Sequence, residues 1–169
     1  VTSIASANGH TVFVVADINN SASNSTIIRH RVNGTPGAVS GFAAELNNSE
    51  QYRVVLHDDD SGNALRNDSD AIAAPNAAAI LGFEFASSNL IIRHDGVIAD
   101  NTVSDTTGTT PLGNVDGNTA FAVGNNFDDN NRPFTGDISE ILVFTESLSN
   151  ADRQLIERYL GEKYNIVVP

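Results

Sequence analysis

The stretch Phe134-Thr-Gly-Asp-Ile-Ser-Glu-Ile-Leu-Val-Phe144, near the carboxyl end of the chain, decides the fold class. A β-strand over residues 138–144 would carry apolar side chains on both of its faces. One face would hold Ile138, Glu140, Leu142 and Phe144, and the other would hold Ser139, Ile141 and Val143. Strands that are apolar on both faces are typical of the middle of a packed β-structure, and we expect that position here.

Residues 149–164 follow this strand as a capped amphipathic helix. Ser149 is a good N-cap residue, and Asp152 puts a negative charge at the end of the helix where the dipole favours it. Helical spacing predicts an inward-facing stripe made of Leu155, Ile156, Tyr159 and Leu160.

The chain upstream is a succession of short apolar runs separated by polar turns. We predict strands at 11–18, 26–32, 40–46, 52–57, 79–86, 89–94, 97–99 and 120–123, with a hairpin across 47–50. Residues 58–78 show no strand pattern and are predicted to be the longest irregular segment, while 100–118 and 124–132 are predicted loops. Some eleven short strands and one helix predict an all-β fold, a two-sheet antiparallel jelly-roll sandwich with one C-terminal amphipathic helix.

The last fifth of the chain resembles the C-terminal signature of laminin G-like domains, in the concanavalin A-like lectin/glucanase (jelly-roll) superfamily. The matching positions are Phe134, Gly136, Ile138, Glu140, Leu148, Ser149, Glu157, Tyr159, Leu160, Lys163 and Tyr164. Residues 90–96 and 121–124 are similar to the family more loosely. The resemblance implies a single laminin G-like domain over residues 1–169. It leaves the function open, because this fold hosts lectins, adhesion modules, hydrolases and lyases.

The composition limits the function classes. The chain has 169 residues, enough for one domain with a sizeable core, and it lacks Cys, Met and Trp. Without cysteine there can be no disulfide framework and no zinc–thiolate site. The net charge of −12 argues against nucleic acid as a partner, since that binding depends on Lys and Arg. No apolar run approaches the length of a membrane span. We expect a monomeric module of a larger secreted or cell-surface bacterial protein.

Two acidic segments are candidate calcium sites. Carboxylate, amide and carbonyl oxygens are the ligands that Ca²⁺ prefers, and rim loops of laminin G-like and related jelly rolls often hold this ion. The metal candidates are Asp58, Asp59, Asp60, Asp128 and Asp129. Neither segment matches the EF-hand pattern, and both are equally typical of Asx turns in solvated loops. The neighbouring residues Phe127, Asn131 and Arg132 are candidate ligand contacts.

Arginines in predicted strands suggest a second kind of site. Alternation puts Arg29 with Arg31 on one strand face and Arg53 with His57 on another, and Arg93 lies in a third strand. If these faces coincide, they form a cationic stripe that could bind the carboxylates or sulfates of an acidic polysaccharide through forked hydrogen bonds. The alternative is that each arginine pairs with an acidic residue on a neighbouring strand.

Catalytic patterns are mostly absent from the sequence. The Glu-x-Asp-x-x-Glu motif of jelly-roll glucanases does not occur, and Glu84 and Glu140 are the only strand carboxylates that could form a pair. We therefore expect no enzymatic activity from this domain alone. The leading hypothesis is a non-catalytic extracellular carbohydrate-binding module, assisted by calcium. The alternative is a structural or adhesion domain of a surface protein that has no sugar ligand.

Overall fold

The computed structural model describes residues 9–19, 24–31, 41–57, 64–72, 77–86, 89–102, 105–107, 121–125 and 132–169. Eleven strands and one helix lie within these ranges. The strands are β1 (His10–Ile18), β2 (Ser25–Arg31), β3 (Gly41–Leu46), β4 (Gln51–His57), β5 (Ala64–Ile72), β6 (Ala78–Ala86), β7 (Asn89–His94), β8 (Val97–Asp100), β9 (Asp105–Thr107), β10 (Phe121–Val123) and β11 (Gly136–Phe144). The helix α1 is Asn150–Tyr164. No helix in the described ranges is long and apolar enough to cross a membrane.

Two antiparallel sheets form a sandwich. One has five strands in the order β11-β1-β6-β7-β8, and the other has six in the order β10-β2-β3-β4-β5-β9. A core cluster joins them, with Val12 and Phe83 from the five-stranded sheet and Phe42 and Val54 from the six-stranded sheet. The predicted fold class, an antiparallel jelly-roll sandwich with a C-terminal helix, is confirmed.

Strand β4 shows how the core selects one face of each strand. Tyr52, Val54 and Leu56 are buried, and the alternating residues Arg53 and His57 are partly exposed. Successive side chains of a strand point to opposite faces, so burying the apolar set turns the charged set outward. The alternation therefore places Arg53 and His57 on the outer face of the six-stranded sheet.

The predicted hairpin between β3 and β4 is confirmed. Its turn is closed by the Asn47 side-chain oxygen, which accepts hydrogen bonds from the backbone N–H groups of Ser49 at 2.8 Å and Gln51 at 3.0 Å. Glu50 adopts the left-handed region with φ 60°, a conformation that costs a non-glycine residue free energy. The side-chain bonds of Asn47 hold the turn in that geometry.

The prediction that residues 58–78 lack a strand is wrong, since β5 occupies part of this segment. Its inward positions include Asn67 and Ser69, both fully buried, so the apolar alternation is hidden. Asn67 donates to the backbone oxygen of Leu90 at 3.1 Å, and Ser69 accepts from the backbone N–H of Tyr52 at 3.1 Å. These bonds satisfy the Asn67 amide nitrogen and the Ser69 hydroxyl oxygen, which lowers the free-energy cost of burying the two side chains. Strand β9 similarly lies within a predicted loop.

Residues 138–144 lie in β11, which is packed on both faces as predicted, although it is the outermost described strand of its sheet, next to β1. The pairing shifts between Val15, which is opposite Glu140, and Ala16, which is opposite Ile138. The extra residue, Ser139, forms a bulge that reverses the alternation along β11. Both faces carry apolar residues for this reason: Ile138 and Ile141 pack on the main core, and Leu142 and Phe144 pack on the helix side.

The N-cap of α1 is confirmed, since Ser149 Oγ accepts a hydrogen bond from the backbone N–H of Asp152. The predicted inward stripe is wrong for Leu155 and Tyr159, which are 57% and 49% exposed. The buried helix residues are Arg153, Glu157, Leu160 and Gly161. Arg153 and Glu157 form a buried ion pair one helical turn apart, and Arg153 also approaches Glu84 of β6 at 3.9 Å. Because this charged pair faces the sheet, Leu155 and Tyr159 lie on the solvent-exposed side of the helix.

This helix orientation can be tested with two leucines of opposite burial. Leu160→Ala is expected to lower the free energy of unfolding by about 2–5 kcal/mol, because it opens a cavity where the side chain is fully buried. Leu155→Ala is expected to change it by less than about 0.5 kcal/mol. Urea unfolding of both variants measures the difference, and equal losses would contradict the orientation.

His10 is a histidine within the apolar core. It is 1% exposed, and its ring centroid lies 4.7 Å from that of Phe85 and 5.0 Å from that of Phe42. Burial, together with the nearby charge of His30, lowers the pKa of His10 from 6.5 to about 4. The folded protein therefore holds His10 neutral under conditions where the unfolded chain would be protonated.

The free energy of unfolding should decrease on acidification, because the pKa of His10 is lower in the folded protein than in the unfolded chain. The contribution of His10 to stability is complete above about pH 6.5 and is lost as pH falls from 6.5 to about 4, by about 3 kcal/mol in total. His10→Phe should remove this part of the acid sensitivity. Urea unfolding of both proteins at pH 7.5 and 4.5 tests it, because titration of the shared carboxylates cancels in the comparison. Equal acid-induced losses would contradict the lowered pKa.

Candidate functional site

A groove of 330 Å³ lies on the outer face of the six-stranded sheet, opposite the side covered by α1. We call it the arginine groove. Its floor is made by small and uncharged residues of the central strands: Gly41, Ala43 and Val55. Its charged lining residues are Arg29, Glu45, Arg53, His57, Arg66 and Arg132. The volume is at the lower end of the range for ligand pockets.

The strand register brings these residues together from four strands. Arg29 of β2 is opposite Ala43 of β3, which is opposite Val55 of β4, which in turn is opposite Arg66 of β5. This row places an arginine at each end of a short apolar floor. Long side chains at the ends and small ones in the middle make the sheet surface concave here.

Asp68 organises one end of the groove. Its carboxylate accepts hydrogen bonds from Arg53 Nε at 2.6 Å and Arg53 Nη2 at 3.3 Å, and from Arg66 Nε at 2.9 Å. Burial raises the pKa of the Asp68 carboxyl, but the hydrogen bonds and charges of Arg53 and Arg66 outweigh burial and leave the pKa below its usual value. The carboxylate is therefore ionised at neutral pH. We call these three residues the Asp68 centre.

Glu45 organises the other end. It is 4% exposed and accepts hydrogen bonds from Arg132 Nη1 at 3.1 and 3.3 Å, while Arg29 Nη1 lies 3.9 Å from its carboxylate. Arg132 enters from the segment before β11, which is tied to β2 by the bond from Thr26 N to Arg132 O at 3.0 Å. Arg29, Glu45 and Arg132 form the Glu45 centre.

Among the described residues, the two centres hold two guanidinium groups for each carboxylate. Every arginine of the groove is thus near an acidic residue, as the pairing alternative predicts, and the described lining contains more arginines than carboxylates. Arg132 uses one terminal nitrogen on Glu45 and is 35% exposed at its side chain, while Arg53 uses Nε and one terminal nitrogen on Asp68. An arginine has five N–H donors, so donors of both side chains remain for an anion or an oxygen acceptor.

The structure groups only part of the predicted ligand-binding set. Arg29, Arg53, His57 and Arg132 all line the arginine groove, and the backbone of Arg31 is opposite Gly41 at its border. Arg93 does not line the arginine groove. It lies on β7 of the other sheet, is 8% exposed and donates from Nε to Glu84 at 2.6 Å.

The predicted calcium ligands Asp58, Asp59, Asp60, Asp128 and Asp129, with Phe127 and Asn131, lie outside the described residues. Within the described ranges, no three His, Asp or Glu side chains are grouped so that they could hold a metal ion. The candidate carboxylate pair lies away from the groove: Glu84 binds Arg93, and Glu140 binds Lys163 of the helix at 3.1 Å.

Two important residues of the groove were missed from the sequence. Arg66 was assigned to an irregular segment because the polar inward residues of β5 mask its alternation. Glu45 follows Ala43 by two positions in a predicted strand, so the signal for its outward face was present. Its role as the acceptor for two arginines depends on contacts with Arg132, 87 positions away in the chain.

No protein-family model matches this sequence, and no curated protein matches it either. Solved structures do resemble its fold. A Bacteroides ovatus protein proposed to bind carbohydrate has a TM-score of 0.63 at 16% identity, over 89% of this chain and 40% of its own. The CBM40 of Ruminococcus gnavus IT-sialidase, bound to alpha2,3 sialyllactose, has a TM-score of 0.66 at 11% identity, over 90% and 84%. A SAP-like pentraxin from Limulus polyphemus has a TM-score of 0.64 at 9% identity, over 92% and 72%.

The chain spans less than half of the Bacteroides ovatus protein and most of the other two. At these identities the likeness concerns the fold. The class that the fold defines is an antiparallel jelly-roll β-sandwich. Membership of the laminin G-like family and of the concanavalin A-like superfamily stays a prediction of the C-terminal signature.

Proposed function

We propose that this domain is a non-catalytic carbohydrate-binding module whose ligand is an acidic glycan held in the arginine groove. The observation that carries the proposal is a concave surface whose described lining contains four arginines and one glutamate, in a protein of net charge −12. Guanidinium groups bind carboxylates and sulfates through paired hydrogen bonds, and Glu45 and Asp68 could accept from sugar hydroxyls.

Two further features support this proposal. Similar folds include the CBM40 bound to alpha2,3 sialyllactose, so a sandwich of this size can carry a sugar site. The outer face of the six-stranded sheet lies opposite the helix, and its apolar floor could contact the faces of sugar rings. An extracellular location, in a larger bacterial enzyme or adhesin of which this is one module, belongs to the same proposal. The laminin G-like signature is a further reason for it.

Affinity electrophoresis against neutral and acidic polysaccharides tests the proposed site. Arg132→Gln is expected to weaken retardation by an acidic polysaccharide about tenfold or more, since hydrogen bonds to charged groups contribute about 1.5–3 kcal/mol. Ala43→Leu should also weaken it, because the larger side chain fills the floor without a change in charge. The matched control is Arg158→Gln, an exposed arginine on the helix at the other side of the sandwich.

The outcomes separate the two functions that the sequence leaves open. Retardation that fades with salt and is lost in the groove variants supports the glycan module. Retardation that Arg158→Gln reduces equally would show non-specific attraction to the domain. If no polysaccharide retards the protein, the structural or adhesion domain becomes the better hypothesis.

Calcium assistance is a separate part of the proposal and derives from the acidic segments alone. If Asp58, Asp59 and Asp60, or Asp128 and Asp129, hold Ca²⁺, the ion should raise the thermal midpoint and a chelator should lower it. A ligand at a hundred times its Kd stabilises by about 2.7 kcal/mol. Calorimetry with CaCl₂, MgCl₂ or EDTA makes the comparison, and Asp59→Asn with Asp129→Asn should abolish the calcium effect. Identical midpoints would assign both segments to solvated turns.

A further inference from the structure

Glu45 is unusual for a carboxylate on the outer face of a strand, because it is almost completely buried. Only 5% of its side chain is exposed, although it shares that face with Arg53 of β4. Arg132 lies against it, and Nη1 of this arginine donates to both carboxylate oxygens, at 3.1 and 3.3 Å. A buried carboxylate that lost such a donor would be strongly disfavoured. The contact therefore restricts the side chain of Arg132.

The backbone around Arg132 is held by bonds that do not involve Glu45. Thr26 N donates to Arg132 O at 3.0 Å, and Phe134 N donates to Gly124 O at 2.8 Å. Thr26 is opposite Glu45 in the pairing of β2 with β3, so these bonds bring Arg132 to the strand position of its carboxylate partner. The backbone bonds place the residue at the groove, and the carboxylate then fixes a long side chain that would otherwise populate many rotamers.

The contact with Glu45 occupies only one terminal nitrogen of Arg132. None of the described residues accepts a hydrogen bond from its Nε or Nη2, and 35% of the side chain is exposed. Arg53 is bound differently, since its Nε and Nη2 both donate to Asp68. These two nitrogens form a fork of nearly parallel N–H groups, which matches two oxygens of one anionic group. Arg132 thus retains the fork that Arg53 uses within the protein.

We propose that Glu45 is a positioning residue for ligand binding, and that the fork of Arg132 which it leaves available binds the anionic group of an acidic glycan. This deepens the proposed function and rests on it. A carboxylate and a sulfate ester each present two oxygens to such a fork, so the shared chemistry is an oxyanion carried on a sugar.

A positioning role for Glu45 predicts an effect opposite in sign to that of charge alone. A carboxylate within the site repels an anionic ligand, so removing its charge would strengthen binding if only electrostatic attraction mattered. If Glu45 positions Arg132, the same change weakens binding, because a mobile guanidinium group loses side-chain freedom when the ligand fixes it. The direction of the change in affinity therefore separates the two roles.

Isothermal titration calorimetry measures this direction with three probes: tetragalacturonic acid, which carries carboxylates, neocarratetraose sulfate, which carries sulfate esters, and neutral cellotetraose. The acidic probe that binds more tightly identifies the source of the oxyanion. Glu45→Gln removes the charge and keeps the shape, whereas Glu45→Asp keeps the charge and shortens the side chain by one methylene. We expect each variant to weaken binding of that probe about tenfold, and Arg158→Gln to leave it unchanged.

A double-mutant cycle shows whether Glu45 acts through Arg132. In the Arg132→Gln background, Glu45→Gln should weaken binding no further, because the group that Glu45 positions is absent. A merely structural role would produce the same loss in both backgrounds. Arg132→Lys keeps the positive charge without the fork, and we expect it to bind about as weakly as Arg132→Gln. Thermal unfolding verifies that each variant is folded.

A second measurement requires no sugar. The Nε–Hε resonance of Arg132 in NMR spectra, assigned by its loss in Arg132→Lys, reports the order of the guanidinium group on the ps–ns timescale. Its order parameter should fall in Glu45→Gln and stay unchanged in Arg158→Gln. Sodium acetate and sodium sulfate, compared with sodium chloride at equal ionic strength, should shift this resonance, and the shift should be smaller in Glu45→Gln.

The outcomes distinguish failure of this inference from failure of the proposed function. Tighter binding by Glu45→Gln, or an equal loss in both backgrounds at position 132, would overturn the positioning role and leave an acidic-glycan site. Binding of cellotetraose as tightly as the acidic probes would overturn the fork and leave a carbohydrate module of another kind. If no tetrasaccharide binds but acetate or sulfate shifts the Arg132 resonance in a Glu45-dependent way, the anion fork is supported and the glycan function is overturned. Neither binding nor a shift would overturn both.

Discussion

Each strand of the six-stranded sheet can satisfy the core with only one of its faces, and this requirement fixes where its charged residues lie. In β4, a slip of one residue would expose Tyr52, Val54 and Leu56 and bury Arg53. Fully burying one large apolar side chain contributes about 1.5–3 kcal/mol, and burial of an unpaired charge costs more than such a gain. The register of the core therefore also sets the register of the arginines, and the groove is a consequence of the same alternation that stabilises the sandwich.

The helix determines which outer face of the sandwich stays open. On the five-stranded sheet, Phe13, Val15 and Ile80 turn outward and are covered by Leu160 and its neighbours. The same interface contains Arg153, Glu157 and Glu84, whose mutual contacts make burial of charge acceptable. Burial raises the pKa of Glu157, and the hydrogen bond from Arg153 offsets only part of this effect. A buried ion pair contributes little net stability but is sensitive to geometry, so it favours one position and orientation of the helix on the sheet.

The sequence predicted the features that depend on local pattern. The hairpin turn at 47–50 and the N-cap Ser149 follow from neighbouring residues, and the structure confirms both. Features that depend on residues far away in the sequence could not be predicted. Asn67 and Ser69 are acceptable in the core only because Leu90 and Tyr52 supply hydrogen-bond partners.

The same distinction applies to the helix and to the groove. Leu155 is predicted to face inward by periodicity, but the side chains that α1 buries include Arg153 and Glu157, which pair with each other while Arg153 also lies near Glu84 of β6. For the groove, alternation predicted that Arg53 and His57 share a face, whereas the coincidence of that face with Arg29 depends on the strand order. The position of Arg132 depends on a chain segment remote from both.

The acidity of the domain bears on how the proposed groove would attract an anion. At physiological salt, charges more than about 8 Å apart on the surface are largely screened, so an approaching polyanion meets the local potential of each surface and not the total of −12. If the groove is the binding surface, acidic surfaces elsewhere would repel a polyanion and the four arginines would attract it. Glu45 and Asp68 each contact two of these arginines, so they reduce the mutual repulsion of the guanidinium groups and hold the side chains in place. The same two contacts explain how a sheet face can carry four arginines close together without a loss of stability from like charges.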